Sequence, residues 1–134
     1  MKIIRSETLK LDSLDDVVNA RRVVRVWMAE MMFSLVDQTK MVTAASELAR
    51  NTVEYGGGGS ACLEALEEDG RRGLRIAFED HGPGIPDLDL ALKDGYTTRD
   101  GLGVGLGGSK RLVNEFDIWS MPGEGTRVTV VKWK

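Results

Sequence analysis

Three short groups of residues have the types and spacing to do chemistry. Glu47 and Asn51 lie four apart, so on a helix their side chains share a face. An amide oxygen in that position can ligate Mg²⁺, which prefers oxygen and keeps ligands from phosphates and water. A carboxylate one turn away can orient an attacking hydroxyl or take its proton. The same spacing also suits a pair that only decorates a solvated helix. The second group is Asp80-His81-Gly82-Pro83-Gly84. Asp80 can accept a hydrogen bond from an exocyclic amine such as that of adenine, and the glycines let backbone pass close to a flat base. An ordinary strand-ending turn has the same composition. The third group is Gly101-Leu102-Gly103-Val104-Gly105-Leu106. Alternate glycines free backbone N–H groups to point at phosphate oxygens, and a helix that starts there favours anions. A flexible glycine linker is the competing reading. No Gly-Lys-Ser/Thr follows, so this is no P-loop, and no strand leads directly into it as the dinucleotide fingerprint requires.

The elements that must position these groups are legible from periodicity and punctuation. Lys2 to Leu11 reads as a strand. Asp12 or Ser13 caps a helix with Asp15 and Asp16 in its first turn, where the helix dipole favours acids. Apolar residues then recur at three and four from Leu14 to about Leu35: Val17, Val18, Val24, Met28, Met31, Met32 and Leu35. Trp27, Met28, Met31 and Met32 read as core on this helix, although periodicity does not separate core from a partner surface. Asp37 begins a second helix that carries Glu47 and Asn51 and stops at Gly56-Gly57-Gly58-Gly59, read as a flexible connection. Ala61 to Glu68 and Gly73 to Asp80 form a hairpin around Asp69-Gly70. A short helix over Asp87 to Lys93 lies in the glycine-rich loop. Another helix runs from about Gly105 to Glu115, and the strands Phe116 to Met121 and Thr126 to Trp133 close the chain. This order predicts a two-layer α/β sandwich, a mixed sheet with helices on one face.

Composition limits what such a chain does. Its 134 residues suit a single domain, 1–134. Net charge is −3 with basic residues scattered, which gives no footprint for nucleic acid. The one cysteine, Cys62, excludes an internal disulfide and fits a reducing compartment; in its strand it reads as a small core residue. The N-terminus lacks the apolar run of a signal peptide, and no stretch is long enough to span a membrane. The expectation is a cytoplasmic protein without membrane or nucleic-acid partners. His81, the only histidine, reads as an exposed turn residue.

The order and separation of the three groups resemble the N, G1 and G2 boxes of the GHKL ATPases (gyrase, heat-shock chaperone, histidine kinase, mismatch repair). Gly125-Thr126, entering the last strand, is similar to the closing motif of that family. The likeness runs from about Asp37 to Trp133. It implies the Bergerat-type ATP-binding fold, with ATP and Mg²⁺ as cofactors. On this resemblance Glu47 is the general base and Asn51 ligates the Mg²⁺ that bridges the phosphates. Asp80 reads the adenine amine, Gly82 and Gly84 shape its pocket, and Thr126 supports the adenine side. Gly101, Gly103 and Gly105 lie along the phosphates, with Val104 and Leu106 also among the ATP-binding residues. The segment from about 84 to 104 is the ATP lid.

Within that family the chain resembles the freestanding anti-sigma-factor serine/threonine kinases. Histidine kinases carry a separate phospho-accepting helix pair and gyrase-type enzymes carry transducer domains, and neither fits 134 residues. Asp94-Gly95-Tyr96-Thr97-Thr98, Lys110-Arg111-Leu112 and Glu115-Phe116-Asp117-Ile118 are similar to the stressosome switch kinases, the RsbT-like group. The resemblance implies phosphorylation of a serine or threonine on STAS-domain antagonist or scaffold proteins, and then activation of a PP2C-type phosphatase. Binding a sigma factor directly is the neighbouring alternative. Gly107 stands where that group has a proline, a departure expected to loosen the lid. Arg99 and Lys110 are candidates for a lid cation and equally for solvated charges. A nucleotide-gated binding module with little catalysis is the main competing function; the base at Glu47 argues against it. The catalytic fragment of a histidine kinase is a third reading, for which His81 is misplaced.

Overall fold

The computed structural model describes residues 1–93 and 105–134. Elements follow in the order β1 (Lys2–Leu11), α1 (Leu14–Glu30), α2 (Leu35–Glu54), β2 (Gly59–Glu68), β3 (Arg71–Asp80), α3 (Leu88–Ala91), α4 (Gly105–Arg111), β4 (Glu115–Met121) and β5 (Gly125–Trp133). The strands form one sheet in the order β1-β2-β3-β5-β4. Alternate residues of each strand face the helices. That face is Leu9 and Leu11, Ala61, Leu63 and Ala65, Leu74, Ile76 and Phe78, and Val128 and Val130, all buried with α1 and α2 packed over them.

The two-layer architecture matches the sequence expectation, with one correction. The sheet is antiparallel at every pairing, not mixed. The long connection from β3 to β4 sets those two strands in the same direction, but β5 folds back between them, so no parallel pair forms.

Helix boundaries also differ from the expectation, and α4 stops at Arg111 rather than near Glu115, where β4 already begins. Ser13 is the N-cap of α1 and forms a capping box with Asp16. The Asp12 N–H, donating to the Asp16 carboxylate, holds that carboxyl below its ordinary value of 3.8. The helix ends at Glu30 rather than near Leu35. Met32 turns left-handed at φ 65° and swings Phe33 into the core, where the Phe33 N–H donates to Met28 O. Ser34 then caps α2 by accepting the Asp37 N–H, so the helix begins before Asp37. Trp27 and Met28 are core residues as expected. Val18, Met32 and Leu35, counted in the apolar stripe, are exposed.

The hairpin turn is as predicted, with Asp69 and Gly70 both at positive φ. Cys62 sits on the outer face of β2 and is half-buried, not a core residue. Lys132 falls on the helix side of β5 in register with Leu74. It is only 7% exposed, donates to the Leu112 carbonyl at 3.1 Å and pairs with Asp37 at 3.6 Å. One side chain thereby ties the end of α4 and the start of α2 to the sheet.

Truncation at Lys132 takes the partner from the half-buried Leu112 carbonyl and the partly exposed Asp37 carboxylate, a loss of about 1 kcal/mol. Lys132→Ala is expected to lower the urea midpoint by that energy divided by an unchanged slope; a midpoint equal to the parent's would refute this tether.

Candidate functional site

The apolar helix-facing rows of the sheet end in a polar row. Asp80 continues the buried register of Leu74, Ile76 and Phe78. It pairs with Gly59 on one side and Thr126 on the other, and Thr126 pairs with Ser120. Asp80 is only 8% exposed. Its Oδ1 accepts the Gly82 N–H at 2.9 Å, and Oδ2 has no hydrogen-bond partner among the described residues. Ser120 Oγ accepts the Ile85 N–H at 2.7 Å and donates to Gly125 O at 3.1 Å. It lies 2.9 Å from Thr126 Oγ1. The Gly123 N–H donates to Pro83 O at 2.9 Å. The loop after β3 is thus fixed to the β4–β5 turn at two points.

Close packing explains the glycines here. A side chain on Gly56 would collide with the Asp80 carboxyl, and one on Gly82 would come within 2.6 Å of Gly56 O. Gly84 combines φ +79° with a Cβ position 2.5 Å from Met121 O. Gly56 and Gly59 are therefore tight contacts of the chain leaving α2 against the end of β3, while Gly57 between them meets nothing within 4 Å. Their signal in the sequence is a glycine run entering the strand that pairs with Asp80. Ser120 left no such signal.

α2 supplies the other wall. Glu47 and Asn51 share a face as predicted. Glu47 is 5% exposed, and its Oε1 accepts the Gly105 N–H at 3.4 Å. Gly105 opens α4 at φ +69°, and its carbonyl accepts from the buried Ser109 hydroxyl at 2.9 Å. Gly107 is buried with no space for a side chain, because a Cβ would collide with Leu92 O. It packs the start of α4 tightly against the end of α3, contrary to the expected loosening.

These elements enclose a cavity of about 380 Å³. Leu48, Phe78, Ile85, Leu90, Leu106 and Val128 make its walls apolar, while Asn51, Thr52, Asp80 and Thr126 supply polar groups. Its volume and its apolar lining with few polar groups suit a flat heteroaromatic ligand. Of the predicted site residues, Asn51, Asp80, Gly84, Gly105, Leu106 and Thr126 line it together. Gly82 lies behind Asp80 as a donor to it. Glu47 borders a neighbouring groove instead. Gly101, Gly103 and Val104 lie outside the described residues, as do Tyr96 to Arg99 and the lid beyond Lys93. Lys110 is exposed and lines neither concavity. His81 is exposed and lies 3.7 Å from the Glu79 carboxylate. Among the described residues no cluster of three or more His, Cys, Asp or Glu side chains could hold a metal, and no helix is long and apolar enough to cross a membrane.

Comparison with known proteins agrees with this geometry. The chain is 47% identical over 118 residues to the serine/threonine-protein kinase RsbT of Bacillus subtilis, covering 88% of this chain and 89% of that protein. It is 27% identical to an anti-sigma F factor of Thermoanaerobacter over 85% of this chain and 82% of the relative. The solved RsbU and RsbW domains of a Mycobacterium tuberculosis protein share the fold, with a TM-score of 0.66 at 24% identity over 97% of this chain; it spans 33% of that structure's length. Residues 36–134 match the family described as histidine kinase-, DNA gyrase B-, and HSP90-like ATPase, and the chain belongs to that family.

Proposed function

We propose that this chain is a protein serine/threonine kinase of the partner-switching kind, which moves the γ-phosphoryl group of ATP to a hydroxyl on a STAS-domain antagonist or scaffold protein. The observation that carries the reading is the pairing of Glu47 and Asn51 on α2. Asn51 opens into the cavity that ends at Asp80, and Glu47 contacts Gly105 at its rim. The similarity to a serine/threonine-protein kinase over most of both chains supports it.

In this reading the adenine lies between the apolar walls, and its exocyclic amine donates to Asp80 Oδ2. The Gly82 N–H, already bonded to Oδ1, fixes the carboxylate for that task. The Asn51 carboxamide has no hydrogen-bond partner among the described residues, and its oxygen would hold Mg²⁺ together with phosphate oxygens. One protein ligand suffices, because Mg²⁺ takes the rest of its shell from phosphates and water. The ion's contribution when bound is to neutralise phosphate charge. The acceptor oxygen forms a bond to the γ-phosphorus, the bond from that phosphorus to the ADP oxygen breaks, and Glu47 takes the hydroxyl proton. Gly101, Gly103 and Val104 would complete the phosphate side, and the segment to about 104 would act as the lid. A PP2C-type phosphatase is the proposed second partner, in a cytoplasmic setting. The similarity to anti-sigma F factors supports a second reading, a nucleotide-gated module that binds a partner with little transfer.

Labelled ATP–Mg²⁺ offered with STAS-domain proteins of the same genome tests both readings. Glu47→Gln is expected to lower transfer about 10²- to 10⁴-fold while ATP still binds. Asn51→Ala should lose Mg²⁺-dependent ATP binding. Transfer that survives Glu47→Gln sinks the assignment of the base, and tight ATP binding with no labelled partner favours the binding module.

Gly56→Ala tests the adenine end by itself. Its new methyl displaces the Asp80 carboxyl, and ATP affinity by calorimetry is expected to fall at least about tenfold, or 1.4 kcal/mol. An unchanged affinity would place the adenine elsewhere.

A further inference from the structure

Ser120 lies near the end of β4, and its hydroxyl has three polar neighbours. A serine hydroxyl carries one hydrogen and two lone pairs. The Ile85 N–H, 2.7 Å away, takes one lone pair. Gly125 O, 3.1 Å away, only accepts, so the Ser120 hydrogen points there. Thr126 Oγ1 is the third neighbour, at 2.9 Å. With the Ser120 hydrogen committed to Gly125 O, the hydrogen between the two hydroxyls comes from Thr126. The reverse direction would leave the Ser120 and Gly125 oxygens facing each other at 3.1 Å with no hydrogen between them. One assignment therefore satisfies all three contacts and uses every donor and acceptor of Ser120.

The consequence falls on the other hydroxyl. Thr126 lines the cavity and has no further side-chain hydrogen-bond partner among the described residues. Its one hydrogen is turned back to Ser120, so toward the cavity it offers only lone pairs. Asp80 is its cross-strand partner, and side chains opposite each other on one face stand about 5 Å apart. Asp80 Oδ2 is likewise an acceptor without a partner among the described residues, because the Gly82 N–H sits on Oδ1. Two acceptors side by side suit a ligand group that carries two N–H bonds.

The geometry points to Ser120 as a positioning residue for base selection: by holding the Thr126 hydroxyl as an acceptor, it favours a 6-aminopurine over a 6-oxopurine. The inference rests on the adenine placement proposed above and adds to it a residue that does not itself line the cavity. An exocyclic amine offers its two hydrogens to Asp80 and Thr126. A carbonyl in the same place meets lone pairs on both sides, and polar groups left unpaired in a buried site give the strongest discrimination between close analogues. Without Ser120 the Thr126 hydroxyl is free to rotate and donate to that carbonyl.

Calorimetry with the full chain and Mg²⁺ compares ATP with inosine triphosphate, which carries a carbonyl oxygen and an N1–H where ATP has the amine. The parent is expected to prefer ATP. In Ser120→Ala the ratio of the two affinities is expected to fall at least about tenfold. Loss of the Ile85 and Gly125 contacts alone would weaken both nucleotides by one factor and leave the ratio unchanged. Thr126→Val, which keeps nearly the same shape and removes the hydroxyl, should lower the ratio too. Adding Ser120→Ala to it should lower the ratio no further, because no hydroxyl is left to orient. A parent-like ratio in Ser120→Ala overturns the inference, while tight ATP binding leaves the adenine pocket standing. A further fall in the double variant overturns it as well. A parent that binds both nucleotides equally overturns it together with the placement of the amine at Asp80. No phosphoryl transfer enters the readout, so the assignment of Glu47 is judged separately.

Discussion

The register of β3 between its neighbours is the constraint on which the rest depends. Leu74, Ile76 and Phe78 are completely or nearly buried under the helices, and the two-residue period of a strand forces Asp80 onto the same face. A carboxylate at the end of that series would be costly in the apolar layer. It is tolerated because the row across the sheet at that level is Gly59, Asp80, Thr126 and Ser120. A slip of one residue would turn the core outward and move Asp80 to the other face. Fold stability and site geometry are therefore enforced by the same strand pairing.

Close approach of backbone is the second requirement. α2 must end where its last turn meets the Asp80 carboxyl, and only a residue without a side chain fits at Gly56. The helix reaches that point through Tyr55 and Gly56, whose N–H groups both donate to Asn51 O. The backbone of Asn51 thus ends the helix while its side chain opens into the cavity. At the far end of the cavity Glu47 contacts the first residue of α4, so α4 is held by α2 from one side, by Lys132 from below and by Leu92 through Gly107.

Much of this was legible in the sequence because its signals are local. The strand alternation around Ile76, the Asp69-Gly70 turn, the Ser13 cap with its acidic first turn, and the spacing of Glu47 to Asn51 all act within one element. What failed depended on contacts between distant segments. The apolar series through Met32 and Leu35 continues the period of α1, but the left-handed Met32 turns the chain and leaves both residues exposed. A mixed sheet was expected from the order of strands and helices; only tertiary placement decides that β5 enters between β3 and β4. Glycine runs carry little information about neighbours, so Gly56, Gly59 and Gly107 looked like slack where the fold needs contact. Ser120 and Lys132 act through partners far along the chain, and nothing near them in sequence marks the role.

The placement of Glu47 follows from helix geometry. Leu48, Asn51, Thr52 and Tyr55 line the cavity, while Thr43, Ser46, Glu47 and Arg50 line the neighbouring groove. At about 100° per residue, Glu47 and Asn51 are separated by only about 40° around the axis. They stand side by side at the boundary of two adjacent stripes, one facing each concavity. A helix that lines one cavity through Asn51 has its preceding turn, with Glu47, at the edge of the other, so one rigid element sets the distance between the two compartments. The four-residue step along α2 sets Glu47 beside the cavity that Asn51 lines, and the Gly105 N–H donated to Glu47 ties α4 to that step.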